Sequence, residues 1–303
     1  MTPLDIRPAI LDALRQGRPV VALESTLISH GLPWPTNLET AHAAEDAVRA
    51  TGAMPATIAI LAGRPTVGLD EAELASLARG GEIRKASRRD LGVAIAQKAT
   101  AATTVSGTML LAEGAGIRVF ATGGIGGVHR GEGFDVSADL VELGRTPVCV
   151  VCSGAKSILD LAATLEVLET NGVPVIGYRC DTFPSFYTRS SGLPLSARVD
   201  SASEAATVLD AHWDLSRTGV VLALPIAEAD ALDENDLARA IDSGEREAGR
   251  RGVRGAGLTP FLLAYLAIAT EGRTLKANRA LIVANARLAG EVAAAWALRG
   301  GRS

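Results

Sequence analysis

Short apolar runs alternate with segments of helical periodicity along most of the chain. Six runs of four to six residues predict strands, at residues 20–23, 57–61, 117–121, 147–152, 173–178 and 220–224. Apolar positions that recur every three to four residues predict helices at residues 36–51, 71–79, 158–170, 234–249, 259–271 and 275–298. Strands that alternate with helices build a parallel sheet between helix layers. We therefore expect an α/β fold with one domain over residues 1–303, a mostly parallel central sheet flanked by helices, and a helical C-terminal part.

Polar residues mark where the first long helix begins and ends. Thr36 and Glu39 stand three positions apart, the spacing of a capping box at a helix N-terminus. Gly52 follows the last predicted turn and is typical of a helix stop. These residues predict a helix that runs from Thr36 to about residue 51.

Composition narrows the class of protein. Hydrophobic residues make up 48% and charged residues 21% of the chain, as in a globular protein with a sizeable core. The net charge of −4 argues against binding a nucleic acid polymer, which usually needs a basic face. We find neither a signal peptide pattern nor an uninterrupted apolar run of roughly 20 residues, so we expect no membrane contact and a cytoplasmic location.

Three cysteines cannot form a disulfide framework. Cys149 and Cys152 have the C-x-x-C spacing of redox and zinc sites. Both residues between them are valines, so the segment is predicted to be a strand, in which residues three apart face opposite sides. A zinc site would also need a second ligand pair. We therefore interpret these cysteines as core residues.

Polar residues follow three of the predicted strands at their carboxyl ends. Glu24, Ser25 and Thr26 follow the first strand, residues 122–131 (TGGIGGVHRG) follow the third, and Ser153 and Lys156 follow the fourth. Ligands of open α/β sheets bind beyond the carboxyl ends of the strands. If the strands are parallel, these three sets gather at one edge.

Lys156 is the residue most suited to covalent chemistry. It is predicted to lie at the end of a buried strand and beside a helix N-terminus. Burial and the positive helix end both disfavour an ammonium, so we expect its pKa to fall. A neutral amine attacks carbonyl carbons and forms Schiff bases. The alternative is a solvated lysine in a first helical turn.

The glycines at residues 123–127 allow two interpretations. Their backbone amides suit close approach to a phosphate, and the same composition suits a plain tight loop. The segment does not match the G-x-G-x-x-G dinucleotide fingerprint, which weakens a nicotinamide-dependent function.

Two further groups of charged residues lie where a helix is predicted to begin, and each has both a binding and a structural interpretation. Asp135 and Asp139 stand four apart at the start of a short helix, where Asp135 suits a hard divalent cation and either Asp135 or Ser137 suits an N-cap. Lys85 opens a basic cluster, residues 85–90 (KASRRD), that fits a phosphate or carboxylate partner or a solvated turn.

Taken together, these segments resemble the pseudouridine-5′-phosphate glycosidase family. The matching stretches are residues 21–31 (VALESTLISHG), 55–60 (PATIAI), 85–91 (KASRRDL), 119–131 (VFATGGIGGVHRG), 135–140 (DVSADL), 150–160 (VVCSGAKSILD), 172–178 (GVPVIGY) and 259–263 (TPFLL). They span nearly the whole chain, and several are long and rare.

The resemblance implies a mechanism and a set of site residues. Lys156 would form a Schiff base with C1 of ring-opened ribose 5-phosphate, and Glu24 would donate a proton while the C–C glycosidic bond to uracil is broken or formed. Asp135 would bind Mn²⁺ or another divalent cation. The implied substrate site comprises Lys85, Val105, Ser137, Ala138 and Asp139, with Thr122, His129 and Asn278 around the phosphate or base. The family also implies a homotrimer.

Two departures from the family pattern keep the acceptor open. Leu224-Pro225-Ile226-Ala227 stands where Asn-Pro-Ile-Pro is common, and the loop at residues 130–135 is shorter than usual. Leucine removes a donor and an acceptor, which suits a less polar group than uracil or reflects neutral drift. The second hypothesis is therefore a C-glycosynthase that joins ribose 5-phosphate to an aromatic polyketide such as prealnumycin. A third is a non-catalytic sugar-phosphate binding protein, which needs no reactive lysine.

Overall fold

The architecture is given by a computed structural model that describes residues 4–131 and 135–300. The strands are β1 (Asp5–Ile6), β2 (Val20–Leu23), β3 (Met54–Leu61), β4 (Arg64–Val67), β5 (Arg84–Ala86), β6 (Ala101–Thr103), β7 (Val119–Ala121), β8 (Val128–His129), β9 (Cys149–Cys152), β10 (Leu159–Asp160), β11 (Val175–Tyr178), β12 (Ala197–Val199) and β13 (Val220–Ala223). The α-helices are α1 (Pro8–Arg15), α2 (Thr36–Arg49), α3 (Glu71–Arg79), α4 (Arg88–Ala96), α5 (Val105–Ala115), α6 (Ala138–Leu143), α7 (Leu161–Thr170), α8 (Ala202–Leu215), α9 (Glu234–Arg250), α10 (Leu258–Ala269) and α11 (Arg273–Leu298).

One large sheet organises these elements. Its strands follow the order β1-β4-β3-β2-β7-β9-β13-β11-β12, and β6 joins β3 and carries β5. Pairing is parallel except where β3 meets β4 and β6. Strands β8 and β10 form a separate antiparallel pair. The predicted fold class, a mostly parallel sheet between helices, is confirmed.

The central strands are buried along their whole length. Every residue of β2, β7, β9 and β13 is buried, as expected for parallel strands covered on both faces by helices. In register, Leu23 of β2 lies beside Ala121 of β7, which lies beside Val151 of β9. The carboxyl ends of these three strands therefore coincide, and the polar residues that follow them gather at one edge as predicted.

Helix α11 supports that edge from one face. It packs against β2, β7 and β9 and against α2 and α8. By length and composition it is apolar enough to cross a bilayer, which our sequence expectation missed, but half of its most apolar window is buried inside the protein. Its hydrophobicity is accounted for by its position in the core.

One predicted helix cap and one predicted helix start are wrong. Helix α2 begins at Thr36, but its N-cap is Pro35 and no side chain caps it, so Thr36 and Glu39 form no capping box. Helix α7 begins at Leu161 rather than residue 158, because Leu159 and Asp160 pair with β8. The Asp160 side chain then caps the helix by accepting a 2.9 Å hydrogen bond from the amide of Ala163.

Candidate active site

Glu24 directly follows β2, in a turn that is held by buried hydroxyl groups. The Ser25 hydroxyl is completely buried and donates to the carbonyl of Ile58 at 2.7 Å, while it accepts from the amide of Thr103 at 2.9 Å. The half-buried Glu24 carboxylate accepts hydrogen bonds from the hydroxyls of Thr26 and Thr122. Its orientation is therefore set both by its own turn and by the loop after β7.

Lys156 lies in the loop after β9, where its amine faces the loop after β7. The Lys156 Nζ donates to the carbonyl oxygen of Gly124 at 2.9 Å, and the Lys156 amide donates to the carbonyl of Ile125 at 3.2 Å. The residue is partly buried. The predicted position beside a helix N-terminus is wrong, because β10 separates Lys156 from α7.

The segment that joins Glu24 to Lys156 is residues 122–127, here called the glycine loop. Its glycines allow close packing: a Cβ on Gly124 would lie 2.5 Å from the Phe186 ring, and one on Gly127 would lie 2.3 Å from Thr164. The amides of Thr122, Ile125 and Gly126 are bonded within the protein. The packing supports the tight-loop interpretation, but the amides of Gly123, Gly124 and Gly127 have no acceptor among the described residues, so an anion site here stays open.

Asp139 braces the glycine loop against α5. Its carboxylate is buried and accepts from the amides of Ser106 at 3.0 Å and Gly126 at 2.9 Å. The Ser137 amide donates to the carbonyl of Gly127, and the Ser137 hydroxyl accepts from the Asp139 amide at 3.2 Å. The N-terminal ends of α5 and α6 are thereby held beside the loop.

Val105 and Ala138 offer backbone donors at those helix ends. Val105 is the first residue of α5 and Ala138 the first of α6. Within residues 4–131 and 135–300, neither amide has a protein acceptor. Because unpaired amides at a helix N-terminus attract anions, this corner suits an anionic group.

Lys85 supplies a positive charge near the same corner. It lies in β5 opposite Ala102 of β6, and the residue taken as a whole, backbone included, is exposed to solvent. Desolvation of the ammonium and then the Lys156 charge lower the pKa of Lys85, while Asp139 and Glu24 oppose the change. The ammonium thus shares its surroundings with three of the other predicted site residues.

His129 and Asn278 flank the glycine loop. His129 pairs with Leu159, three residues after Lys156, and its Nε2 lies 3.3 Å from the Thr259 hydroxyl, a partner that the sequence did not single out. Asn278 is buried on α11, and a Cβ on Gly123 would lie 3.3 Å from its Oδ1. That oxygen has no hydrogen-bond partner in the described part of the chain.

Comparisons of the whole chain with known proteins identify its family. The sequence model described as indigoidine synthase A like protein covers residues 9–295. A protein of Caldanaerobacter subterraneus subsp. tengcongensis named pseudouridine-5′-phosphate glycosidase is 55% identical over 293 residues, 96% of this chain and 95% of its own. The chain belongs to the pseudouridine-5′-phosphate glycosidase family. The resemblance read from the sequence is confirmed.

Further relatives and solved structures extend the match. The Alkaliphilus metalliredigens glycosidase of this name is 52% identical over 295 residues, 96% of each chain. The crystal structure of the prealnumycin C-glycosynthase AlnA in complex with ribulose 5-phosphate superposes with a TM-score of 0.92 at 42% identity and full coverage of both chains. An indigoidine synthase A like protein of Thermotoga maritima gives 0.88 at 37% identity, covering 96% of this chain and 95% of its own.

Asp135 stands apart from the other candidate metal ligands that the structure describes. Its backbone carbonyl accepts from the His129 amide at 2.9 Å, and the residue is exposed. Among the described residues, no group of three or more His, Cys, Asp or Glu side chains is placed to hold a metal ion. Among the described residues, an exposed carboxylate of this kind suits an ion that takes further ligands from substrate oxygens and water. The short loop before Asp135 includes residues 132–134, which lie outside the described residues.

Cys149 and Cys152 are core residues, as predicted. Both are completely buried in β9, and burial raises the pKa of the Cys152 thiol to about 12 and that of Cys149 further. Since thiolates are the reactive and metal-binding form, neither cysteine has the environment of a redox or zinc site.

Leu224, the departure from the family pattern, faces a different cavity. Its amide donates to the carbonyl of Cys152 at 2.8 Å, and its side chain lines a groove of about 880 Å³ with Tyr178 and the outer face of α11. Neither Glu24 nor Lys156 lines that groove. Leu224 therefore lines a groove whose lining excludes the amine and the carboxylate, although the carboxyl ends of β13 and β9 are neighbours.

Proposed function

We propose that the chain makes and breaks a C–C glycosidic bond to ribose 5-phosphate through a Schiff base on Lys156. The reaction is pseudouridine 5′-phosphate and water in equilibrium with uracil and ribose 5-phosphate. One observation carries the proposal: the glycine loop contacts both the Lys156 amine, through Gly124, and the Glu24 carboxylate, through Thr122. Relatives with 50–55% identity carry the glycosidase name. The chain is thus an enzyme of the C-glycosidase and C-glycosynthase class.

The need for a lysine follows from the bond that is broken. A C–C bond has no heteroatom leaving group to protonate, so the paired-carboxylate scheme of ordinary glycosidases is insufficient. In the proposed cleavage the Lys156 amine adds to C1 of the ribose while the ring opens, and the ring oxygen takes a proton. The iminium then forms as the base leaves with its electron pair and accepts a proton at carbon. Water finally hydrolyses the imine and releases ribose 5-phosphate.

Glu24 is proposed to move those protons. Two hydroxyl donors hold its carboxylate beside the glycine loop, so its position is fixed before substrate arrives. A cavity of about 20 Å³ lies against Glu24 and Thr122 and is large enough for one water molecule. Positioned proton transfer of this kind contributes roughly 10²–10⁴-fold to a rate.

The phosphate is proposed to bind at the corner formed by Lys85 and the N-terminal ends of α5 and α6. The amides of Val105 and Ala138 supply directional donors, and the Lys85 ammonium supplies charge. Ser137 and Asp139 hold the two helices in place. The phosphate end of the substrate would thus be fixed while C1 reaches Lys156.

Asn278, His129 and Thr122 are proposed to surround the remainder of the substrate. The buried Asn278 Oδ1 is an acceptor without a donor among the described residues, so a hydroxyl or ring N–H of the substrate would satisfy it. His129 has one ring nitrogen paired with Thr259, which orients the ring.

Mn²⁺, or another divalent cation, is proposed as a substrate-bridging ion held by Asp135. When bound it would neutralise phosphate charge, and Asp135 is the carboxylate that the described residues would offer it. The Asp135→Asn variant and treatment with a chelator should both raise the KM for ribose 5-phosphate. If neither changes the KM by more than twofold, the ion plays no part in binding.

An aromatic polyketide acceptor is the second candidate. The full-length likeness to the prealnumycin C-glycosynthase favours it, and the higher identity to the named glycosidases favours uracil. The departure that raised this candidate, Leu224, lies in a groove without Lys156 among its lining residues. Uracil is therefore the preferred acceptor.

An acceptor assay separates the candidates. The protein is incubated with ribose 5-phosphate and either uracil or an aromatic polyketide such as prealnumycin, and products are identified by mass. We expect pseudouridine 5′-phosphate from the native protein and none from Lys156→Ala. Product with the aromatic acceptor alone would reverse the preference. Binding of ribose 5-phosphate without product from any acceptor would leave the non-catalytic sugar-phosphate binder.

Assembly and location are also proposals. We propose a homotrimer in the cytoplasm, on the resemblance to the family. Sedimentation of the purified chain should give about three times the 31.2 kDa chain mass. A monomer or dimer across the micromolar range would contradict the trimer.

A further inference from the structure

Helix α11 places one fully buried amide side chain against the glycine loop. Asn285 has no exposed surface, and its neighbours on the helix, Leu281, Ala286 and Leu288, are buried apolar residues. Its Nδ2 lies 2.9 Å from the carbonyl oxygen of Thr122 and 3.3 Å from that of Gly123. The Ser153 hydroxyl lies 3.2 Å from Nδ2 and 3.3 Å from Oδ1.

These contacts join the two loops that carry the reaction. Thr122 donates to Glu24, and Gly123 precedes the glycine whose carbonyl accepts from the Lys156 amine. Ser153 begins the loop that leads from β9 to Lys156. The Asn285 side chain therefore links the loop that holds the proposed proton donor, Glu24, to the loop that carries the proposed nucleophile, Lys156.

The polarity of Asn285 has no role in packing the helix. Burying an amide is unfavourable unless its donors and acceptor are paired, and a leucine of similar size would suit the apolar surroundings better. Fully paired networks, in contrast, fix one arrangement of the groups they join. The side chain is paired on both its nitrogen and its oxygen, and all its partners lie in the two loops.

We propose that Asn285 is a positioning residue that sets the spacing between Glu24 and Lys156 without touching the substrate. The inference rests on the proposed Schiff-base function. The proposed phosphate site at Lys85 and α5 is built by other contacts. Asn285 is therefore expected to affect the rate of the chemical step and not the affinity for the phosphate. Displacements of about 1 Å between reacting groups can cost on the order of 100-fold in rate.

The test compares Asn285→Leu with the native enzyme in cleavage of pseudouridine 5′-phosphate. We expect kcat to fall roughly 100-fold, KM to stay within about threefold, and borohydride trapping of ribose 5-phosphate on Lys156 to slow in parallel with kcat. Asn285→Gln keeps both amide functions and should recover part of kcat. Ser153→Ala removes one of the contacts, should give a smaller loss, and keeps the test available if Asn285→Leu does not fold.

Thr274→Val is the matched control on the same helix. Thr274 is also buried, in the first turn of α11, and its hydroxyl lies 3.1 Å from that of Thr270. This variant should lower the melting temperature while kcat stays native. If Asn285→Leu kept native kcat, or lost no more than Thr274→Val, the positioning role would be wrong. An inactive native protein would instead count against the proposed function.

Discussion

At the scale of single residues, the site depends on hydroxyls that hold a carboxylate and on charges that share one corner. Glu24 has its position set by Thr26 and Thr122, and Lys156 has its amine set by a backbone carbonyl. The sequence could identify Glu24, Thr122 and Lys156, because each follows a readable strand. It could not identify Gly124 as the partner of the amine, because a backbone carbonyl has no residue-type signal.

The Thr122 hydroxyl should matter to catalysis beyond its effect on stability. Thr122→Val removes one of two donors to Glu24, and losing a bond to a charged group costs about 1–3 kcal/mol. We expect kcat to fall roughly 10- to 100-fold. Thr146→Val is the matched control, since that equally buried hydroxyl donates to Glu142 elsewhere. Equal kcat in the two variants would show that the Thr122 contact is only structural.

Lys85 should make substrate binding sensitive to alkaline pH. Because its pKa lies below the usual value, its charge is lost at a lower pH than that of an ordinary lysine, and affinity for the phosphate falls with it. The native KM for ribose 5-phosphate should therefore rise between pH 7.5 and 10. Lys85→Arg, which stays protonated, should flatten that rise, whereas the exposed control Lys276→Arg should not. The same rise in all three proteins would exclude Lys85 as its origin.

At the scale of elements, the fold was predictable where strands are long and wholly apolar. The runs that became β2, β9 and β13 could be placed to within two residues. Strands β5, β6, β8 and β10 have two or three residues each, too few for a period to be recognised. Helix α5 was missed because its sequence, VSGTMLLAEGA, lacks a clear polar face, and seven of its eleven residues are buried. The pairing of β8 with β10, which moved the start of α7, is a long-range contact without a local signal.

The glycine loop should tolerate no side chain at Gly124. A Cβ there would lie 2.5 Å from Cδ2 of Phe186 and 3.0 Å from the carbonyl oxygen of Gly154, so the loop or the ring must shift. Gly124→Ala should therefore reduce kcat more than about tenfold, since Gly124 also accepts from Lys156. Gly249→Ala, at an exposed helix position with open space around it, should leave kcat unchanged and add about 0.5–1 kcal/mol of stability. Native kcat in Gly124→Ala would contradict the placement of the loop.

At the scale of the whole molecule, the parallel sheet converts distant segments into one site. Residues 24, 122 and 156 are far apart in sequence, yet the register of β2, β7 and β9 brings the ends of their strands side by side. The alternation of strands and helices was sufficient to predict that edge. It was insufficient to predict Asn285, although Asn285 stands seven residues after Asn278 and so repeats on the same face of α11. An asparagine in an apolar helix indicates a structural or functional role only if that face of the helix is buried, and the sequence alone does not show which face is buried.

Borohydride trapping tests the central claim most directly. The native protein is incubated with ribose 5-phosphate, reduced, digested and mapped by mass spectrometry. We predict a stable ribose-phosphate adduct on the peptide that contains Lys156, and its loss in Lys156→Ala with the fold retained. No adduct in the native protein, or an adduct that persists on Lys85 in the Lys156→Ala variant at the native rate, would contradict the assignment of Lys156 as the nucleophile.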